Sequence, residues 1–231
     1  MDGRHTYEVH FSRGRAIRYI SHLDMMRAWE RLLRRAGLPV AYSEGFNPRP
    51  KLAFAAPLPV GVLAGDDIAE FVLTQELSPA EVAAHLRQQT VPGLEIQAVV
   101  AVPANRPALQ ARMREALYVV GLSGVETPAP SASSEPVLSL PRGQALRRRV
   151  DELLARESFV ISYQRQERRR SYDLRPLILD LGLHEAPEPV LHMRLRHDPQ
   201  ATGRPTDVLQ AVGLDPASVE ITRTSLVLAP G

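Results

Sequence analysis

The sequence predicts a mixed α+β protein made of two tandem ferredoxin-like units. Three observations support this fold class. Residues 7–102 read as strand, helix, strand, strand, helix, strand, which is the ferredoxin-like order. Residues 116–227 repeat that order with one added helix, and the turn-rich stretch 103–107 separates the two halves. We therefore expect an N-terminal domain at 1–103 and a C-terminal domain at 108–231.

The first half opens with an alternating strand at Tyr7–Phe11, followed by the clearest helix of the chain. Ser21 and Asp24 have capping-box spacing, so the helix is expected to begin at His22. Gly37 is expected to end it. Apolar residues recur at helical spacing and predict one buried stripe, which consists of Leu23, Met26, Trp29, Leu32, Leu33 and Ala36.

The rest of the first half predicts short strands and one capped helix. Ser78 caps this helix, Pro79 takes its first position and Glu81 completes a capping box. Short extended pieces are expected at 40–42 and 52–55, on either side of the 42–51 loop, and strands at 68–73 and 94–102.

The second half shows the same alternation of element types. Strands are expected at 116–122, 159–164, 171–174, 190–196 and 219–227, and helices at 143–156, 176–181 and 206–212. Residues 127–136 are rich in proline, alanine and serine and predict a flexible loop. Arg165 and Arg168–Arg170 are expected at the turn between two strands.

Composition excludes several classes of protein. The chain has no cysteine, which excludes disulfides, thiolate zinc sites, a cysteine nucleophile and a cysteine-held iron–sulfur cluster. No run approaches 18 consecutive apolar residues, and the first residues have no apolar signal region. We therefore expect a cytoplasmic protein with no membrane segment and no cofactor.

The loop at residues 42–51 follows the first helix and combines aromatic, cationic and proline residues. Aromatic rings can stack on bases, and arginine or lysine can bind phosphate. Alternatively, Tyr42 and Phe46 pack on the core and the prolines only shape a turn. Arginine clusters elsewhere add to the nucleic-acid hypothesis. The predicted nucleic-acid-binding residues are Arg27, Arg31, Arg34, Tyr42, Phe46, Asn47, Arg49, Lys51, Arg165, Arg168, Arg169 and Arg170.

Signals for catalysis are weak. If the chain is an enzyme, His22 and Tyr42 are the candidate acid and base. The adjacent Asp66 and Asp67 predict a turn in preference to a magnesium site. A metal site is not expected, because no ligand-like spacing connects the histidines of the second half, His184, His192 and His197.

Two segments resemble a known bacterial family. SHLDMMRAWERLLRRAGLPVAYSEGFNPRPKLAFAAPLPVGV is similar to the opening signature of the radical SAM-linked proteins, also catalogued as a domain of unknown function. RPTDVLQAVGLDPASVEITRTSLVL resembles the C-terminal end of that family. The resemblance implies a radical SAM enzyme as partner, since some such enzymes carry this domain fused at their C-terminus. The chain departs from the family at Arg49, where histidine is expected.

Three functional hypotheses follow. The preferred one is a non-catalytic RNA-binding adaptor that presents ribosomal or transfer RNA to a separate radical SAM enzyme. The second is a metal-independent ribonuclease that uses His22, Tyr42 and neighbouring arginines. The third is a protein-binding scaffold that docks on the radical SAM partner through the 42–51 loop and residues 57–62.

Overall fold

A computed structural model describes residues 3–122, 142–165, 168–184 and 188–230. Side chains are described throughout these ranges except those of 142, 165, 168 and 169. Contacts group the chain into unit 1, Met1–Arg114 with Thr222–Gly231, and unit 2, Glu115–Ile221. The sequence-based domains 1–103 and 108–231 stay a prediction, and the loop expected at 127–136 lies outside the described residues.

Unit 1 contains the predicted succession of strands and helices, followed by one short helix that the sequence did not predict. The elements are β1 (His5–Arg13), α1 (His22–Arg35), β2 (Leu52–Phe54), β3 (Leu63–Leu73), α2 (Pro79–Arg87), β4 (Leu94–Val102) and α3 (Leu109–Arg112). Strand β1 lies between β4 and β3, and β2 pairs with β3. These three pairings are all antiparallel.

Unit 2 has an antiparallel three-stranded arrangement and a separate hairpin. The elements are β5 (Met113–Gly121), α4 (Arg142–Leu154), β6 (Val160–Arg165), β7 (Arg168–Asp173), β8 (Ile178–His184), β9 (Val190–Arg196), α5 (Pro205–Ala211) and β10 (Glu220–Leu228). Strand β9 pairs with β5 and β8, while β6 pairs with β7. From Thr222 onward β10 belongs to unit 1, where it pairs in parallel with β3.

The structure lacks a helix and a turn that the sequence predicts. The helix expected at 176–181 is a three-residue 3₁₀ turn, Arg175–Leu177, followed by β8. Pro176 resembles a helix start, but the apolar residues that follow pair with β9 instead. Asp66 and Asp67 do not form a turn, because both lie within β3.

The core of unit 1 is built on the first helix. The Ser21 side chain accepts a hydrogen bond from the Asp24 backbone N–H at 3.2 Å, so the predicted cap is confirmed. Trp29 is fully buried, 4.9 Å from Phe11 between ring centres. The predicted stripe is wrong at one position: Leu23 is 56% exposed, and Met25 is buried instead. The actual stripe therefore begins two residues later.

The coarser fold prediction, a mixed α+β protein, is confirmed. The finer one, two tandem ferredoxin-like units, stays a prediction. Within the described ranges, no helix combines the length and apolar character that crossing a membrane requires.

Candidate nucleic-acid interface

The loop at residues 42–51 has an ordered base. Tyr42 and Pro50 form an isolated bridge, and the Ser43 N–H donates to the Arg49 carbonyl at 2.8 Å. Lys51 and Ala41 connect this base to Val72 of β3: the Ala41 N–H donates to the Val72 carbonyl at 2.8 Å, and the Val72 N–H to the Lys51 carbonyl at 3.1 Å. Unit 1 therefore holds both ends of the loop.

The tip of the loop points away from the core of unit 1. Phe46 has a relative exposure of 107%, and Tyr42 is 50% exposed. Gly45 precedes Phe46 with φ of 117°, a backbone conformation that glycine adopts without strain. Asn47 and Arg49 are also exposed, while Lys51 is half-buried. Phe46 thus contributes nothing to the core, and its ring faces are accessible.

Helix α1 places three of the predicted arginines on one side. Arg27, Arg31 and Arg34 follow each other at intervals of four and three residues, so they form one exposed stripe. Arg27 also pairs with Asp24, Nη1 to Oδ1 at 3.2 Å, in an exposed ion pair. The stripe can place cations along a line on the solvent side of the helix.

The hairpin β6–β7 carries the second arginine cluster, in unit 2. The prediction that Arg165 and Arg168–Arg170 form a turn is wrong, because Arg165 ends β6 and Arg168–Arg170 begin β7. Backbone register pairs Arg165 with Arg168, Gln164 with Arg169 and Tyr163 with Arg170. The Arg170 side chain is exposed.

An aromatic pair lies on this hairpin. The Tyr163 ring lies 6.2 Å from the Tyr172 ring, and the Arg204 guanidinium lies 5.5 Å from the Tyr163 ring centre. The Tyr172 hydroxyl donates to Asp207, and burial with this hydrogen bond raises the pKa of Tyr172. Tyr172 is therefore held in place as a neutral phenol, while Tyr163 and exposed Arg204 offer a ring and a cation.

His22, the candidate acid or base, is the first residue of α1. Its ring lies 5.7 Å from Phe54, and Arg13 donates to the Ile20 carbonyl close by, at 3.3 Å. Burial lowers the pKa of His22, and the charge of Arg13 lowers it further. Both effects favour the neutral imidazole, which is the form that can accept a proton. Tyr42 is half exposed at the base of the loop.

Sequence reasoning missed a charged network on β1 and β3. His10 Nδ1 lies 2.8 Å from Asp66, and His10 Nε2 lies 3.7 Å from Glu8. Arg106 pairs with Glu8 at 2.5 Å and with Glu70 at 2.9 Å. The available signal was alternation along β1, because Glu8 and His10 interleave with buried Tyr7, Val9 and Phe11.

The network fixes the charge states of two members. The contact with His10 lowers the pKa of Glu8 to about 2, with Arg106 and Arg112 contributing. The contact with Glu8, together with Asp66, raises the pKa of His10 to about 9. His10 is therefore a cation at neutral pH, and this arrangement is suited to holding strands together more than to exchanging protons. Among the described residues, no group of three or more His, Cys, Asp or Glu could hold a metal ion.

Comparison with known proteins shows one family. A search of curated proteins finds no match to this chain. The crystal structure of an unknown protein from Galdieria sulphuraria is 13% identical, over 98% of this chain and 99% of that chain, with a TM-score of 0.26. A likeness at that score carries no inference about fold. The model of the family described as "Uncharacterized protein conserved in bacteria (DUF2344)" matches residues 6–205. Since this match spans most of the sequence, the chain belongs to that bacterial family.

Proposed function

We propose that the chain is a non-catalytic RNA-binding adaptor that presents a ribosomal or transfer RNA to a separate radical SAM enzyme. The observation that carries the RNA-binding part is the exposed Phe46 ring at the tip of a loop with an ordered base. Single exposed apolar side chains are common on protein surfaces, but this ring is fully accessible, so a partner can cover it. A nucleobase fits this role because its flat face stacks on an aromatic ring.

Cations on the same unit support a nucleic-acid partner. The stripe Arg27, Arg31 and Arg34 offers guanidinium groups at intervals of a helical turn. Guanidinium groups bind phosphate through paired hydrogen bonds and stay charged at any physiological pH. Arg170 and Arg204 provide exposed cations on unit 2. Each unit thus carries its own candidate surface.

The partner enzyme enters the proposal only through the sequence resemblance to the radical SAM-linked proteins. These 231 residues contain no cysteine, so they do not hold the iron–sulfur cluster of such an enzyme. Presenting RNA to such an enzyme is the role that is consistent with both the resemblance and the absence of cysteine. Such work would take place in the cytoplasm, where ribosomal and transfer RNA are found.

Salt-dependent binding to RNA tests the proposal. Retention of total bacterial RNA on filters should fall steeply as salt rises, because each neutralised phosphate releases counterions. The triple variant Arg27→Gln, Arg31→Gln, Arg34→Gln should lower the salt slope by about 0.7 for each phosphate on single-stranded RNA that is no longer neutralised. Arg114→Gln, which removes an exposed cation outside the stripe, is the matched control. An absence of salt-sensitive retention would remove the main support for RNA binding.

Two other experimental outcomes would favour the alternative functions, a ribonuclease or a protein-binding scaffold. RNA cleavage by clean preparations that disappears in His22→Ala would favour the ribonuclease, in which His22 acts as acid or base. Binding to a radical SAM enzyme without any RNA binding would favour the protein scaffold.

We also propose that each of the two units is ferredoxin-like. Unit 1 supports this with the order β4-β1-β3 and with β2 paired to β3. Unit 2 supports it less, because the hairpin β6–β7 is separate from β5-β9-β8. An experimental structure tests the assignment for each unit.

A further inference from the structure

Two histidines that are distant in the sequence meet on unit 2. His184 ends β8 and His192 lies within β9, and their ring centres are 4.8 Å apart at an angle of 74°. Both side chains are exposed. Among the described residues, neither imidazole has a hydrogen-bond or ion-pair partner. Their ring nitrogens are therefore available to a ligand.

The register between β8 and β9 explains how the two rings meet. Gly182 is directly opposite His192, and His184 is opposite Val190, so the two histidines are diagonal neighbours on one face. A Cβ atom added at Gly182 would meet no atom within 4 Å. The missing side chain leaves open space beside the His192 ring. An ion with its bound waters can occupy such a space.

The strands beneath this face are firmly held. Leu183 of β8 pairs with Leu191 of β9, and both are buried on the face opposite the two histidines. Antiparallel pairing continues from β9 to β5, where Val119 is opposite His192. The two imidazoles are thus carried by paired strands, and rigid strands hold ligands more accurately than loops do.

We propose that His184 and His192 bind one transition-metal ion of the class that prefers imidazole, Zn²⁺, Ni²⁺ or Cu²⁺. Neutral imidazole is a ligand for all three ions, and the affinity order expected for a nitrogen site is Cu²⁺ above Ni²⁺ and Zn²⁺. Two protein ligands leave the remaining positions to water, so the site is open and exchangeable, unlike a closed four-ligand structural site. The assignment is independent of RNA binding, because it rests on different residues.

Titration calorimetry of the full chain with each metal ion tests the site. One ion per chain should bind, and the absence of cysteine removes thiolate competition. His184→Gln and His192→Gln should each weaken binding by at least about tenfold, a loss seen even when only a partner of a ligand is removed. His5→Gln in unit 1 is the control and should leave the affinity unchanged.

A fourth variant separates the metal site from a simple ring contact. Gly182→Leu keeps both histidines but fills the space beside His192, so it should weaken metal binding. A thermal melt of this variant without metal checks that it is folded. Selective broadening of the His184 and His192 ring signals by substoichiometric Cu²⁺, seen by NMR, would place the ion at the pair. Broadening of other histidines alone, or unchanged affinity in both His→Gln variants, would overturn the assignment.

Discussion

Arg223 and Asp67 form a fully buried ion pair inside unit 1. The Nε and Nη2 atoms of Arg223 donate to the same oxygen, Asp67 Oδ1, at 2.9 and 2.6 Å. The guanidinium also donates to the carbonyls of Ala56 and Pro57, at 3.1 and 3.2 Å. Relative exposure is 0% for Arg223 and 3% for Asp67. Burial raises the pKa of Asp67, and the charge of Arg223 opposes that shift. The pair connects β10 to β3.

Breaking this pair should be strongly destabilising. Asp67→Asn leaves the buried guanidinium without its counter-charge, and removal of one partner of a buried pair costs about 3–5 kcal/mol. Urea unfolding followed by circular dichroism measures this loss in the free energy of unfolding. The exposed pair Arg27–Asp24 is the matched control, since Arg27→Gln removes only a solvent-screened ion pair and should cost much less than Asp67→Asn. Equal losses in the two variants would contradict the argument.

Stability should depend on His10 at alkaline pH. The folded pKa of His10 is about 9, above its ordinary value of 6.5, because Glu8 and Asp66 favour the cation. A raised folded pKa contributes stability that is complete below pH 6.5 and is lost as pH rises through 9. Thermal melts of the parent between these limits should therefore decline with pH. His10→Gln should be less stable near neutral pH and should lack this decline.

The contribution of Glu8 to stability should be lost in acid. The pKa of Glu8 falls from 4.5 to about 2 in the folded protein, so its contribution is present above pH 4.5 and is lost as pH falls through 2. His5→Gln on the same strand is the control for both limits. If His10→Gln and the parent give parallel melting curves between pH 6.5 and 9, the network does not hold His10 as a cation.

The 42–51 loop should be separable from the fold. Phe46 and Arg49 are exposed, so Phe46→Ala, Arg49→Ala should melt within a few degrees of the parent. Loss of a stacking ring costs about 1–3 kcal/mol per base, which corresponds to roughly five- to 150-fold weaker RNA binding. Fluorescence anisotropy with labelled RNA and a thermal melt measure the two effects. A large fall in melting temperature with binding retained would instead show a structural loop.

Stacking on Phe46 also predicts a preference for unpaired RNA. Base faces are covered in a duplex, whereas single strands and loops expose them to aromatic side chains. The parent should bind a single strand more tightly than the duplex of the same sequence, and Phe46→Ala should reduce that preference. Phe46→Tyr keeps an aromatic ring and should retain it. Equal affinity of the parent for both forms would show that binding relies on phosphate contacts alone.

Local sequence determined most helices and strands of this protein. Ser21 and Ser78 cap α1 and α2 as expected, because a capping serine acts on backbone N–H groups only two or three residues away. Strands Leu94–Val102 and Val190–Arg196 have the predicted bounds. The exposed character of much of the 42–51 loop also follows locally, since its residues lie outside any periodic apolar pattern.

Only the tertiary structure decided which distant side chains meet. Arg223 and Asp67 are 156 residues apart in the chain, and no local periodicity indicates that pairing β10 with β3 buries them together. His184 and His192 become neighbours only through the register of β8 and β9. The helix expected at 176–181 gave way to β8 for the same reason, because burial against a neighbouring strand outweighs the preference of Pro176 for a helix start. Contacts across strands depend on register, and register is a property of the assembled sheet.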